Sequence, residues 1–256
     1  MIFETHAHYE NEKFDEDRDR LLESMPTQGI GKIVNVGSSL DTSRQSIHLA
    51  ERYDFIYAAV GVHPSEISCL DETGMDWLRS QAAHRKVVAI GEIGLDYYWE
   101  KDASVRKKQR DWFYRQLILA QETCLPVIIH SRDAAQDTLE LMKEASGRKI
   151  PGVIHCFSYT PELAEQYVQM GYYIGVGGVV TFKNAKKLKE TVERIPLESL
   201  VLETDCPYLA PEPYRGKRNS SLYLPYIAEK VAEIKEISPA EVIRVTEQNA
   251  CNLYQI

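Results

Sequence analysis

The feature that most constrains this chain is an alternation sustained from end to end. Short apolar runs rich in β-branched residues are separated by longer segments of helical periodicity. The short runs cover residues 2–5, 32–36, 56–60, 87–90, 126–129, 152–154, 172–175 and 200–203. Runs that are hydrophobic almost throughout, instead of alternating with polar residues, are expected of parallel strands buried on both faces. Doubly wound sheets also alternate strand and helix, but eight strands within 256 residues fit closure better. The expected fold is therefore α/β, a single-domain (β/α)8 TIM barrel over residues 1–256, with no linker, repeat or low-complexity stretch.

The intervening segments carry apolar stripes at helical spacing. Val105, Trp112, Phe113, Leu117 and Ala120 share one face, as do Ala185, Leu188, Val192 and Ile195, and again Leu224, Ile227, Val231 and Ile234. Such stripes are read as helix-to-barrel packing. Thr160 before Pro161 reads as an N-cap with proline at the first helical position. Ser238 and Glu241 read as a capping box opening the last helix.

Composition narrows the function classes. With 30 Lys plus Arg against 38 Asp plus Glu, the net charge is −8, which argues against a broad basic surface for nucleic acid. A polyanionic substrate would need a local basic patch or metal ions. No apolar run approaches a membrane span, and no basic segment precedes an apolar core at the amino terminus, so neither membrane insertion nor a signal peptide is expected. Five scattered cysteines without CxxC spacing suit reduced thiols in the cytoplasm.

Chemistry-bearing side chains collect at the carboxyl ends of these strands. In Glu4-Thr5-His6-Ala7-His8, strand geometry sends both histidines to one side, where they can share a metal ion. Glu92 follows the fourth run between Gly91 and Gly94, a carboxylate that should not be buried unpaired, with glycines that allow close backbone approach. His130 ends the fifth run, His155 the sixth, and Asp205 the eighth, with Glu203 on the same side. Each alone is a weak signal. Together, four of the seven histidines and two carboxylates converge on one end of a closed barrel, the end where barrel enzymes carry their sites. Four imidazoles and two carboxylates suit two divalent ions bridged by Glu92, a centre that activates water.

Further residues border the same mouth. His63 ends the third run and could donate to a substrate phosphate, whereas His48 and His84 fall on helical segments and are assigned no role. Cys156 and Cys206 adjoin His155 and Asp205 and are read as packing residues on the opposite side of the strand. Arg132 follows His130, and Arg215, Lys217 and Arg218 lie in the long loop after the eighth run, where a barrel can hold a phosphate. Tyr97, Tyr98, Trp99, Tyr208 and Tyr214 could stack on a base or sugar.

The segments ETHAHY, GEIGLDYYW, LPVIIHSRDA, GVIHCFS, LETDCPYLAP and YRGKRN resemble, in order and over nearly the whole chain, those of the TatD family of metal-dependent deoxyribonucleases within the amidohydrolase superfamily. The resemblance implies a binuclear metal site (magnesium, manganese or zinc) and hydrolysis of DNA phosphodiesters, often from the 3′ end. It assigns His6 and His8 to one ion, His130 and His155 to the other, and a bridging role to Glu92. It makes Asp205 a ligand that accepts the proton of the nucleophilic water, and sets Arg132 and His63 near the scissile phosphate. Two positions depart from the family pattern: Glu4 stands where Asp is more usual, and Ser220-Ser221 where Glu-Pro usually follows Arg218-Asn219. DNA is then the expected partner, with no obligate protein partner. Two other readings fit the same residues: an esterase, lactonase or deaminase of a small molecule, and a metal-stabilised scaffold in a repair or quality-control assembly.

Overall fold

The computed structural model describes residues 1–145 and 150–256. Eight strands form one parallel sheet in sequence order: β1 (Ile2–Ala7), β2 (Ile30–Val36), β3 (Ile56–Val60), β4 (Val87–Asp96), β5 (Val127–Arg132), β6 (Gly152–Ile154), β7 (Tyr172–Val176) and β8 (Leu200–Leu202). Each of the eight runs read from the sequence is a strand. The largest difference is β4, expected to end at residue 90, which continues six residues further to Asp96 and carries Glu92 inside a paired strand.

The sheet is nearly closed into a barrel. The first and last strands meet through one parallel bridge, Ala7 to Cys206. Asp205 N donates to the carbonyl of His6 at 3.0 Å, and His8 N to that of Cys206 at 2.9 Å. The seam that closes the barrel therefore runs through three of the six expected ligands.

Helices alternate with the strands: α1 (Arg18–Ser24), α2 (Leu40–Arg52), α3 (Glu72–Gln81), α4 (Ala103–Thr123), α5 (Ala135–Glu144), α6 (Pro161–Gln169), α7 (Lys186–Arg194), α8 (Leu224–Lys235) and α9 (Pro239–Tyr254). Phe113, Leu117 and Ala120 of α4 are buried, as are Leu188 and Val192 of α7 and Leu224, Ile227 and Val231 of α8, the stripes expected to pack on the barrel. Each fully buried aliphatic side chain contributes roughly 1.5–3 kcal/mol. A smaller cluster gathers Phe3, Val34, Ala59, Ile128, Val153 and Val201 from six different strands, with Leu253 and Tyr254 at the end of α9 filling the barrel interior.

Local capping matches the sequence in part. Ser238 accepts from Glu241 N at 3.1 Å, but the Glu241 carboxylate turns to Arg244, so the reciprocal half of that capping box is absent. The complete box is Ser39 with Thr42 at the start of α2. Thr160 is the N-cap of α6 without a side-chain bond to the helix backbone. His48 lies in α2 as expected, but His84 sits in the bend after α3 and pairs with Glu51. No helix among the described residues is long and apolar enough to cross a membrane.

Candidate metal centre

The site starts with β1, whose six residues are all buried. His6 and His8 bring their Nε2 atoms to 3.1 Å. His8 Nδ1 lies 2.8 Å from the Val36 carbonyl, so it carries the ring proton and leaves the Nε2 lone pair free for a cation. The seam sets Asp205 Oδ1 3.4 Å from His8 Nε2 and 3.8 Å from His6 Nε2. Asp205 sits at φ 56°, a left-handed conformation that a short polar side chain tolerates better than most.

Across the barrel mouth stands Glu92. Its Oε2 faces the first histidine pair, 3.6 Å from His6 Nε2 and 3.8 Å from His8 Nε2. Its Oε1 faces the second, 2.8 Å from His155 Nε2 and 3.0 Å from His130 Nδ1. The approach of β4 to β5 depends on Gly94, at φ 146°, where a Cβ would fall 1.8 Å from the His130 carbonyl oxygen. Asp96 was not singled out from the sequence, although period-two geometry sets it on the side of Glu92. Its Oδ2 meets His130 Nε2 at 3.1 Å and so turns Nδ1 of that ring toward Glu92.

Electrostatics in this cluster favour a positive charge at its centre. Burial opposes ionisation of Glu92 and Asp205, yet the surrounding imidazoles hold both carboxyls below their usual range. Burial also disfavours charge on His8, His130 and His155, but the carboxylates outweigh it and raise all three, His130 to about 9. Burial lowers His6 to about 4. Protons thus supply the positive charge the carboxylates demand, and a divalent cation among the same atoms can replace them. Among the described residues, three atom groups lie close enough to ligate an ion, within 4.8 Å of one another: His6, His8 and Asp205; His63, Glu92 and His130; and His6, His155 and Glu203.

Residues 3–255 match the family model described as TatD related DNase. The chain belongs to the TatD family of metal-dependent hydrolases. It is 44% identical to the metal-dependent hydrolase YabD of Bacillus subtilis, over the full length of both chains. Identity is 34% to the 3′-5′ ssDNA/RNA exonuclease TatD of Cronobacter sakazakii, covering 99% of this chain and 97% of the relative. Among solved structures, the TatD homologue YjjV of Escherichia coli superposes with a TM-score of 0.92 at 31% identity, covering 100% of this chain and 98% of that one.

Glu4 and Ser221, two positions singled out from the sequence, meet at one point behind the expected ligands. Buried Glu4 accepts from His6 N at 3.1 Å and Thr204 N at 2.8 Å through Oε1, and from Thr204 Oγ1 at 2.6 Å and Ser221 Oγ at 2.9 Å through Oε2. Burial raises its carboxyl to about 8 against those four bonds. Ser221 Oγ therefore helps to satisfy Glu4, although the two residues stand 217 positions apart in the sequence.

A cavity of about 890 Å³ opens above the centre, lined by His8, Glu92, His130, His155 and Asp205. His63 and Arg132 line it as well. The Nδ1 of His63 accepts from Ser65 N at 3.1 Å, so its proton sits on Nε2, which lies 3.7 Å from Glu92 Oε1. The Arg132 guanidinium stacks on Tyr98 at 4.0 Å and near Trp99 at 5.6 Å, and has no carboxylate partner among the described residues. The other expected cations are engaged elsewhere and do not line the cavity. Arg218 forms a two-bond pair with Asp17 (2.7 and 2.6 Å), Arg215 covers Phe182, and Lys217 lies over Tyr214. Of the five aromatic residues, Tyr208 lines the cavity, Tyr98 and Trp99 are exposed, Tyr97 is buried on Asp137, and Tyr214 stacks on Tyr223. Cys206 is buried as a packing residue, but Cys156 lines the cavity, because β6 ends at Ile154 and strand alternation no longer applies.

Proposed function

We propose that this chain hydrolyses the phosphodiester bonds of nucleic acid, single-stranded DNA from its 3′ end foremost, at a centre of two divalent cations. Glu92 carries the reading: each of its oxygens faces a different histidine pair, beneath an open cavity. His6, His8 and Asp205 would hold one ion, His130 and His155 the other, and Glu92 would span both. Imidazole with carboxylate suits zinc or manganese, and phosphoryl chemistry suits magnesium. Such ions lower the pKa of water and stabilise both the attacking and the leaving oxygen of an in-line displacement.

The chain's own groups supply the rest. The Asp205 carboxylate takes the proton of the attacking water. His63 donates its Nε2 proton to a phosphate oxygen, and Arg132 offsets charge on the phosphoryl group. Glu10, Glu12, Asp15 and Arg18, which follow β1, also line the cavity; Arg18 pairs with Asp15, and the net negative charge left there steers a phosphate toward Arg132. Tyr98 and Trp99 beside it offer stacking faces to a base. The Cronobacter relative named a 3′-5′ ssDNA/RNA exonuclease supports this substrate class. Five free cysteines suit a cytoplasmic setting.

The test is incubation of metal-reconstituted protein with 3′- and 5′-labelled single-stranded DNA, duplex DNA, RNA and a small neutral ester. A ladder shortening from the 3′ end, lost in Glu92→Ala protein of native circular dichroism, supports the proposal. Intact nucleic acid with rapid ester cleavage would favour the small-molecule reading, to which the acidic side of the mouth lends some weight. If every substrate survives although metal binds, the scaffold reading gains.

A further inference from the structure

Beneath the centre lies a second convergence. Among the described residues, four buried side-chain polar atoms lack a hydrogen-bond partner, and three of them belong here: His6 Nδ1, His155 Nδ1 and Glu203 Oε2. The two rings stack face to face, with centroids 4.0 Å apart and planes 13° apart. Both turn Nε2 toward Glu92, so both Nδ1 atoms turn away from it. His155 Nδ1 lies 3.8 Å from Glu203 Oε1, about 1 Å beyond a normal hydrogen bond.

Glu203 is itself held in place. Cys156 N donates to its Oε1. On the side of β7, a Cβ at Gly175 would fall 2.5 Å from Glu203 Oε2 and 3.0 Å from His155 Cα, so the absence of a side chain there makes room for this carboxylate. The residue is fully buried, with no Lys or Arg paired to it among the described residues.

Two chemistries could satisfy these atoms. A cation among His6, His155 and Glu203 would need lone pairs on both Nδ1 atoms, which would put the ring protons on Nε2 and aim them at Glu92. That arrangement removes both rings from the upper centre. If Nε2 is the ligating atom, both Nδ1 atoms must carry protons, and each needs an acceptor. The Glu203 carboxylate, with an oxygen within 4.8 Å of a nitrogen of each ring, is the acceptor within reach.

Resting on the two-ion reading above, we propose that Glu203 is a positioning residue that accepts the Nδ1 protons of His6 and His155 together. One carboxylate then orients one imidazole from each ion site, and their tautomers are set jointly. Carboxylates behind metal-bound histidines fix ring orientation and raise ligand basicity. Here a single residue does so for both halves of the centre, so its loss weakens both ions at once, whereas loss of a ligand at one site acts mainly on that site.

The test is calorimetric titration of metal-free protein with Mn²⁺, for wild type, Glu203→Gln, Glu203→Asp and Glu92→Ala. Glu203→Gln should lower the affinity of both binding events by roughly 10–100-fold, with Glu203→Asp recovering part of the loss. Wild-type affinity in Glu203→Gln, alongside weakened binding in Glu92→Ala, overturns the role of Glu203 and leaves the metal centre standing. Failure of the wild type to take up Mn²⁺ overturns both. A second measurement needs no variant: in ¹⁵N-labelled Zn²⁺ protein, imidazole spectra should show His6 and His155 both protonated at Nδ1, with strongly downfield proton shifts. An Nε2-protonated tautomer in either ring refutes the assignment.

Discussion

The contact between Glu4, Ser221 and Tyr9 yields a prediction whose size follows from the bonds involved. Tyr9 OH donates to Ser221 Oγ at 2.8 Å and accepts from Ser221 N at 2.8 Å, while Ser221 Oγ donates to Glu4 Oε2 at 2.9 Å. All three residues are buried. Ser221→Ala leaves the Tyr9 hydroxyl proton without an acceptor and Glu4 one donor short. A buried group left unsatisfied costs about 1–3 kcal/mol, so the two losses together come to roughly 2–6 kcal/mol. At about 2–4 °C per kcal/mol for a chain of this size, the melting temperature should fall by about 4 °C or more. Tyr9→Phe strands Ser221 N and leaves Ser221 Oγ without its donor.

The double variant should cost less than the sum of the two, because the Tyr9 hydroxyl orphaned by Ser221→Ala and the Ser221 Oγ orphaned by Tyr9→Phe are both gone from it, and only Ser221 N stays unpaired. A coupling of about 1 kcal/mol or more is expected from residues in direct contact. The assay is a double-mutant cycle of thermal or urea unfolding on metal-free protein, followed by Mn²⁺ titration of each variant. Glu4 also receives the His6 and Thr204 amides, so loosening it should weaken metal binding together with stability. Additivity within about 0.5 kcal/mol would refute the reasoning, since independent sites behave that way.

Other outcomes follow from the same geometry. Gly94→Ala places a Cβ against the His130 carbonyl in a conformation closed to alanine, so it should cost more than about 2 kcal/mol and reduce metal uptake, read by unfolding and metal analysis. Arg132→Glu should raise KM for a nucleic acid far more than Arg218→Ala does, because only the former lines the cavity; equal effects in steady-state kinetics would restore the loop after β8 as the phosphate site. Arg218→Ala should change stability by no more than about 1 kcal/mol, as its pair with Asp17 is partly exposed. Saturating Mn²⁺ should stabilise the fold, by about 2.7 kcal/mol at a hundredfold excess over Kd, and chelation should reverse the gain in a thermal scan.

Much of this protein is legible in its sequence, because the relevant signals are local. An apolar run of strand length ending in His130 or His155 states both the strand and the end at which the ligand emerges. Repeated around a barrel, those ends must face the same way. The family motifs, all lying at such ends, are equally local. The extension of β4 to Asp96 was hidden because Gly91, Glu92 and Gly94 interrupt the hydrophobic pattern, although pairing with β5 resumes at Ile93 after a register shift across Gly91 and Glu92 and runs to Asp96. The partners of the cations after β8 were hidden for a related reason: a run of charge gives position along the chain, not the partner each side chain meets.

The sequence by itself therefore determined the barrel, the strand ends and the residue types gathered there. Only the tertiary structure decided which atoms meet. The β1–β8 seam, the orientation of the two Glu92 oxygens, the Arg218–Asp17 pair and the Glu4–Ser221 bond all join residues from separate strands or loops. The physical reason is that hydrophobic periodicity is set within a few residues, whereas ligand geometry depends on strand register, closure and backbone approach to within a fraction of an ångström.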